Sequence, residues 1–110
     1  MGTCPNYNIN VTASLSSDYT LSGKDRNGGV SGNDPSITFN VGDEINFIVN
    51  AANHPFYLKT VQGTGTDNLV IGVNNNGQTN RVVNWKPTSA KTYYYQCSLH
   101  NGMFGTITVN

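Results

Sequence analysis

Tyr95-Gln96-Cys97-Ser98-Leu99-His100-Asn101-Gly102-Met103-Phe104-Gly105 closes a run of aromatic residues and decides how the rest of the chain is read. Strand side chains alternate with period two. An extended segment over Lys91–Cys97 therefore puts Tyr93, Tyr95 and Cys97 on one face and Thr92, Tyr94 and Gln96 on the other, with the thiol pointing inward. A thiol, an imidazole and a thioether follow at the spacing Cys-x-x-His-x-x-Met, close enough for one turn to aim all three at one point.

Donors of this kind select a soft transition metal. A thiolate, neutral imidazoles and a weak thioether suit copper, and a trigonal Cys and two His with a distant Met is the arrangement of electron-transfer copper sites. The stretch supplies one His. The chain has one other, His54 in Asn53-His54-Pro55-Phe56-Tyr57, and the second Met is Met1. The donor inventory is thus His54, Cys97, His100 and Met103.

Upstream, Ile37, Phe39 and Val41 alternate, Gly42-Asp43 permits a tight reversal, and Ile45, Phe47 and Val49 alternate again, which predicts a pair of strands. Ile9 and Val11 alternate with Asn10 and Thr12 in a half-buried strand over Asn8–Ala13. Asp18–Leu21 is expected as a short edge strand, and Ser22–Pro35, rich in Gly, Asn, Asp and Ser, as a surface loop. Pro55 cannot donate to a ladder, so His54 falls at the mouth of the strand that follows. Gln62–Gln78 reads as a loop with one short strand around Leu69-Val70-Ile71, and Arg81–Trp85 as a strand with Val83 and Trp85 on one face. Many short strands, loops between them and no helical period predict an all-β Greek-key sandwich, in one domain spanning 1–110.

With these residues on the page, the sequence resembles the cupredoxins, small type 1 (blue) copper proteins. Ser36–Phe47 resembles their strand, Gly-Asp turn and strand ahead of the first His; Tyr93–His100 resembles the strand that delivers the Cys; and Met103–Val109 looks like the closing strand. The short Cys-x-x-His-x-x-Met loop is most similar to that of the amicyanins, whereas plastocyanins put more residues between His and Met. His54–Thr60 and the Tyr-Tyr-Gln-Cys run are similar to cupredoxin-like domains encoded by marine phages. The resemblance implies a β-sandwich with the ligand loops at one end, one copper ion held by His54, Cys97, His100 and an axial Met103, and a non-enzymatic electron carrier cycling between Cu(II) and Cu(I).

Two departures bear on the site. Many cupredoxins follow the first His with Asn, which ties the ligand loops. Here Pro55 stands in its place and lacks an N–H, so Asn53 is the expected substitute tie. Leu99 occupies the position of a Pro in amicyanins and plastocyanins, leaving its N–H free to approach the thiolate. A redox partner is expected to dock at the His100 end, over Leu99, Met103, Phe104, Pro55 and Phe56. Amicyanin-like release of His100 on protonation is a further expectation, since imidazole changes charge near neutral pH.

Composition limits the other functions. Six basic residues balance six acidic ones and charged residues make up 11% of the chain, which argues against nucleic acid or an anionic membrane as partner. No apolar run is long enough to span a membrane, and a monomer is expected. Two cysteines allow a Cys4–Cys97 disulfide, but that leaves the His100 and Met103 spacing without a role. A Cys97 hydrolase has no nucleophile elbow or helix N-terminus for an oxyanion. A structural or interaction domain of a larger assembly such as a virion, with copper kept for stability, is the alternative. The start of the chain lacks the basic and apolar segments of a leader; the resemblance implies a periplasm or thylakoid lumen after leader removal, and otherwise the cytoplasm of a phage-infected bacterium.

Overall fold

Alternating apolar residues build nine strands in a computed structural model that describes residues 6–14 and 17–110. They are β1 (Asn6–Ser14), β2 (Asp18–Asp25), β3 (Gly28–Asn33), β4 (Ile37–Phe39), β5 (Glu44–Asn50), β6 (Phe56–Lys59), β7 (Val82–Trp85), β8 (Thr92–Cys97) and β9 (Phe104–Val109). One sheet has the order β3-β2-β1-β5-β7 and the other β4-β9-β8-β6. Their inner faces bury Ile9, Val11, Leu21, Ile45, Phe47 and Val83 against Ile37, Phe39, Leu58, Tyr95 and Ile107, the packing expected of a β-sandwich. Both sheets are mixed: β1 runs parallel to β5 and β4 parallel to β9. No helix among the described residues is long and apolar enough to cross a membrane.

Several local expectations are corrected. β4 and β5 do not pair with each other; β4 adds to β9, and β5 lies between β1 and β7. Both strands need the same core, and the turn between them satisfies this by changing sheets rather than folding a hairpin. Gly42 adopts a φ of 92° there, and the Asp43 carboxylate accepts the Asn40 N–H at 2.8 Å and a two-point contact from Arg26 at 3.0 and 2.7 Å. Val41, at the turn, is 45% exposed rather than inward.

Asp18–Leu21 is not an edge strand, and Ser22–Pro35 is not a loop. β2 continues to Asp25, turns at Arg26-Asn27 and returns as β3, so β2 is flanked on both sides. The hairpin consists of backbone ladder bonds with Val30 as its apolar anchor. Gly23 lies so close to the Asn8 carbonyl that a Cβ would collide with it, so a residue suggestive of a turn is here a requirement of strand packing. Around Leu69-Val70-Ile71 there is an isolated bridge, Lys59 to Leu69, in place of a strand, and Ile71 is 96% exposed.

The pairing that matters most for the site is β6 with β8. Phe56 stands opposite Cys97, so His54, two residues before Phe56, lies beyond the end of the ladder beside the turn that follows Cys97.

Candidate metal centre

Three donors come from two loops at this end of the sandwich. The Cys97 Sγ lies 3.8 Å from His54 Nδ1 and 3.4 Å from His100 Nδ1, and the ligand atoms of all three residues are within 4.8 Å of one another. In both imidazoles it is Nδ1 that faces the sulfur. The rings themselves are tilted by 45° with centroids 5.0 Å apart. Cys97 is fully buried and a free thiol, so it is not used in a disulfide; Cys4 lies outside the described residues. His54 is 9% exposed and His100 is half-buried at the surface.

Local structure explains the convergence. The segment after β8 turns through Ser98–Gly102 and is closed by two backbone bonds, Cys97 N–H to the Met103 carbonyl at 2.9 Å and Met103 N–H to the His100 carbonyl at 3.1 Å. Met103 is fully buried at the start of β9. On the other loop, Asn53 takes a φ of 68° and the His54 N–H donates to the Ala51 carbonyl at 3.0 Å, a tight turn that ends at Pro55. Pro55 is placed just ahead of β6, where the N–H it lacks is not required for the ladder.

The chemistry of this donor set fits a soft or borderline metal. Burial, and secondarily the neighbouring His100, holds the His54 imidazole below its ordinary value, which keeps it neutral as a metal ligand must be. Burial raises the Tyr19 phenol far above its ordinary value, with the Cys97 thiol adding to the effect, so Tyr19 remains a hydrogen-bond donor. Beneath the site Phe56 packs edge-on to Tyr19 at 5.1 Å and stacks on Tyr95 at 5.6 Å, forming a rigid aromatic floor.

Supporting residues were not visible in the sequence pattern. Tyr19, on β2, donates to the carbonyls of His54 at 2.8 Å and Pro55 at 2.9 Å; Gln96 and Gln62 hold the other loop. Alternation places Tyr19 and Gln96 on a face but says nothing of their partners. Asn53, the expected tie, is exposed, and among the described residues its side chain bonds to neither ligand loop. Of the expected docking residues, Met103 and Phe56 are fully buried, which leaves Leu99 at 63% exposure with the half-buried Pro55 and Phe104.

No protein-family model and no curated protein sequence matches the chain. Solved structures do match. The copper protein rusticyanin superposes with a TM-score of 0.64 at 21% identity, over 98% of this chain and 80% of its own. Rusticyanin from Thiobacillus ferrooxidans gives 0.62 at 19% over 98% and 79%, and a reduced amicyanin variant 0.52 at 22% over 93% and 81%. This chain has the cupredoxin fold. The expectation from its strand pattern and from Tyr93–Val109 holds at the level of the whole sandwich. In this cupredoxin fold the His54 turn and the Cys97–Met103 turn leave the same end, and the His-Cys-His cluster sits where those two turns meet.

Proposed function

We propose that this protein is a type 1 copper electron carrier, with one copper ion held by His54, Cys97, His100 and, as a weak fourth donor, Met103. The observation that carries the reading is the convergence of a fully buried thiol and two imidazoles, their ligand atoms within 4.8 Å of one another, drawn from two loops that rigid strands anchor. Copper supplies one-electron exchange between Cu(II) and Cu(I) when bound. The residues of the chain supply constancy. Ladder bonds, the aromatic floor and the Tyr19 hydroxyl keep the donors in one arrangement, so that little has to move when the charge of the site changes.

His100 is the most exposed of the three clustered donors, and the electron path to a partner runs through it. Leu99, Pro55 and Phe104 surround it as a small apolar surface that suits transient docking of a redox protein. With zero formal net charge, long-range steering by a charged partner plays little part. The protein acts as a monomer in this reading.

The test is an optical and spin-resonance titration of metal-free protein with Cu(II). An intense thiolate-to-copper visible band with narrow copper hyperfine splitting, saturating at one equivalent and lost in Cys97→Ser, is the expected result. A weak band with ordinary wide splitting overturns the electron-carrier reading.

A further inference from the structure

Gln96 adjoins Cys97 in β8 but faces the opposite side of the sheet, and there it is fully buried. A buried carboxamide must place both its N–H donors and its oxygen. Nε2 lies 2.9 Å from the Cys97 carbonyl, 2.8 Å from that of His100 and 3.3 Å from that of Asn101. Oε1 accepts from the Gly63 N–H at 3.2 Å and from Gln62 Nε2 at 3.1 Å. A backbone N–H can only donate and a carbonyl can only accept, so this arrangement fixes which end of the amide is which.

The bonds of Gln96 therefore run into the turn that carries His100, and the other side of the amide is braced. Gln62 Nε2 also donates to the Asn101 carbonyl at 2.8 Å, and the Gly65 N–H donates to the Ser98 carbonyl at 2.9 Å. The segment 62–65 is itself held by Lys59, whose ammonium is buried and donates to the carbonyls of Gly63 at 2.7 Å, Gly65 at 3.2 Å and Thr64 at 3.3 Å. Two loops distant in sequence are thus joined behind the cluster of donors by the Gln96 amide, by Gln62 and by the Gly65–Ser98 backbone bond.

We propose that Gln96 is a positioning residue of the metal centre: by holding the carbonyls of both Cys97 and His100 from the far side of β8, it sets the place of the imidazole relative to the thiol without touching the metal. The spectroscopic consequence rests on the copper reading above. The hold on the turn does not, because every bond of the Gln96 amide is made to the chain itself.

The experiment compares wild type with Gln96→Met, which keeps length and apolar volume but has no N–H to donate, and with Gln62→Met at the half-exposed outer end of the network. In metal-free protein, amide hydrogen exchange at Cys97 and Met103, the two amides that close the turn, is expected to quicken about tenfold in Gln96→Met, the loss of roughly one hydrogen bond. Exchange at Phe47 and Val83 in the other sheet stays within about twofold of wild type. With Cu(II) added, the same variant is expected to bind one equivalent with a changed ratio of visible bands and a wider hyperfine splitting, while Gln62→Met moves both readouts in the same direction by less. Unchanged exchange at Cys97 and Met103 in Gln96→Met overturns the proposal. If that variant does not fold, unchanged exchange at Met103 in Gln62→Met overturns it equally. A wild-type protein that lacks the thiolate band sinks the copper reading while the exchange result still decides the role of Gln96.

Discussion

The Tyr19 hydroxyl donates to the His54 carbonyl at 2.8 Å and shares its proton with that of Pro55 at 2.9 Å, so a strand in one sheet fixes the turn that leads into the other. Because Tyr19 is fully buried, nothing in solvent replaces the bond once it is removed. Tyr19→Phe keeps the ring against Phe56 but leaves two carbonyls short of a donor. Its cost should be about 1–2 kcal/mol, read as a lower urea midpoint of the metal-free protein with an unchanged m-value. A midpoint equal to wild type would show that the hydroxyl does not hold the turn.

Asp34 makes the stability of the fold depend on pH. Its Oδ1 accepts the Tyr19 N–H at 2.9 Å, and its carboxyl is pushed up to about 7, first by burial and then by a hydrogen bond with Asp18. The folded state therefore holds a proton that the unfolded chain releases near its ordinary value of 3.8. The stabilisation is complete below that value and is lost as pH rises through about 7. Thermal midpoints should fall across this window in wild type. In Asp34→Asn, which keeps an oxygen for Tyr19 and does not titrate, the fall should be visibly smaller; an equal slope in both proteins would assign the pH dependence elsewhere.

Gly105 stands opposite Tyr95 in the β8–β9 ladder, and the Tyr95 ring lies where its side chain would be. Gly105→Ala forces that ring off Phe56 and strains its bond to the Pro35 carbonyl. A loss of about 1–3 kcal/mol in urea unfolding is expected, the usual cost of overpacking. The aromatic floor also moves, so the near-ultraviolet circular dichroism should change, whereas a well-folded, unperturbed variant would mean that Tyr95 has room to yield.

Leu99 is the exposed apolar residue of the ligand turn. If electrons pass at this end, Leu99→Glu should slow self-exchange between reduced and oxidised copper-loaded protein by about tenfold, through like charges meeting at the contact. Lys24→Glu, an exposed change on β2, should leave the rate within about twofold. Equal slowing by both variants would remove the His100 end as the contact surface.

Much of this was legible along the chain because alternation and donor spacing are local. Period two placed Ile9, Phe47, Val83, Tyr95 and Cys97 inward, and all are buried. The spacing of Cys97, His100 and Met103 is that of a single turn, and the scarcity of His singled out His54. Strand partners were less legible: Ile37–Phe39 and Ile45–Val49 have the pattern of a hairpin, and the same pattern serves equally two strands that enclose one core from opposite sheets. The Ser22–Pro35 segment hid a hairpin because ladder bonds are made by the backbone, which polar and glycine residues possess as fully as apolar ones.

The candidate donors, the inward face of the strands that alternate cleanly and the all-β class were readable along the chain, since each follows from residue chemistry and a fixed repeat. Which residues support those candidate donors came from the packing of the sheets. Tyr19 is separated from His54 by |i−j| = 35, and Gln62 from Gln96 by |i−j| = 34. Contacts at such separations leave no periodic trace, because they depend on how two sheets and a covering loop stack, and a hydroxyl or an amide acquires its role only from the carbonyls that packing brings to it.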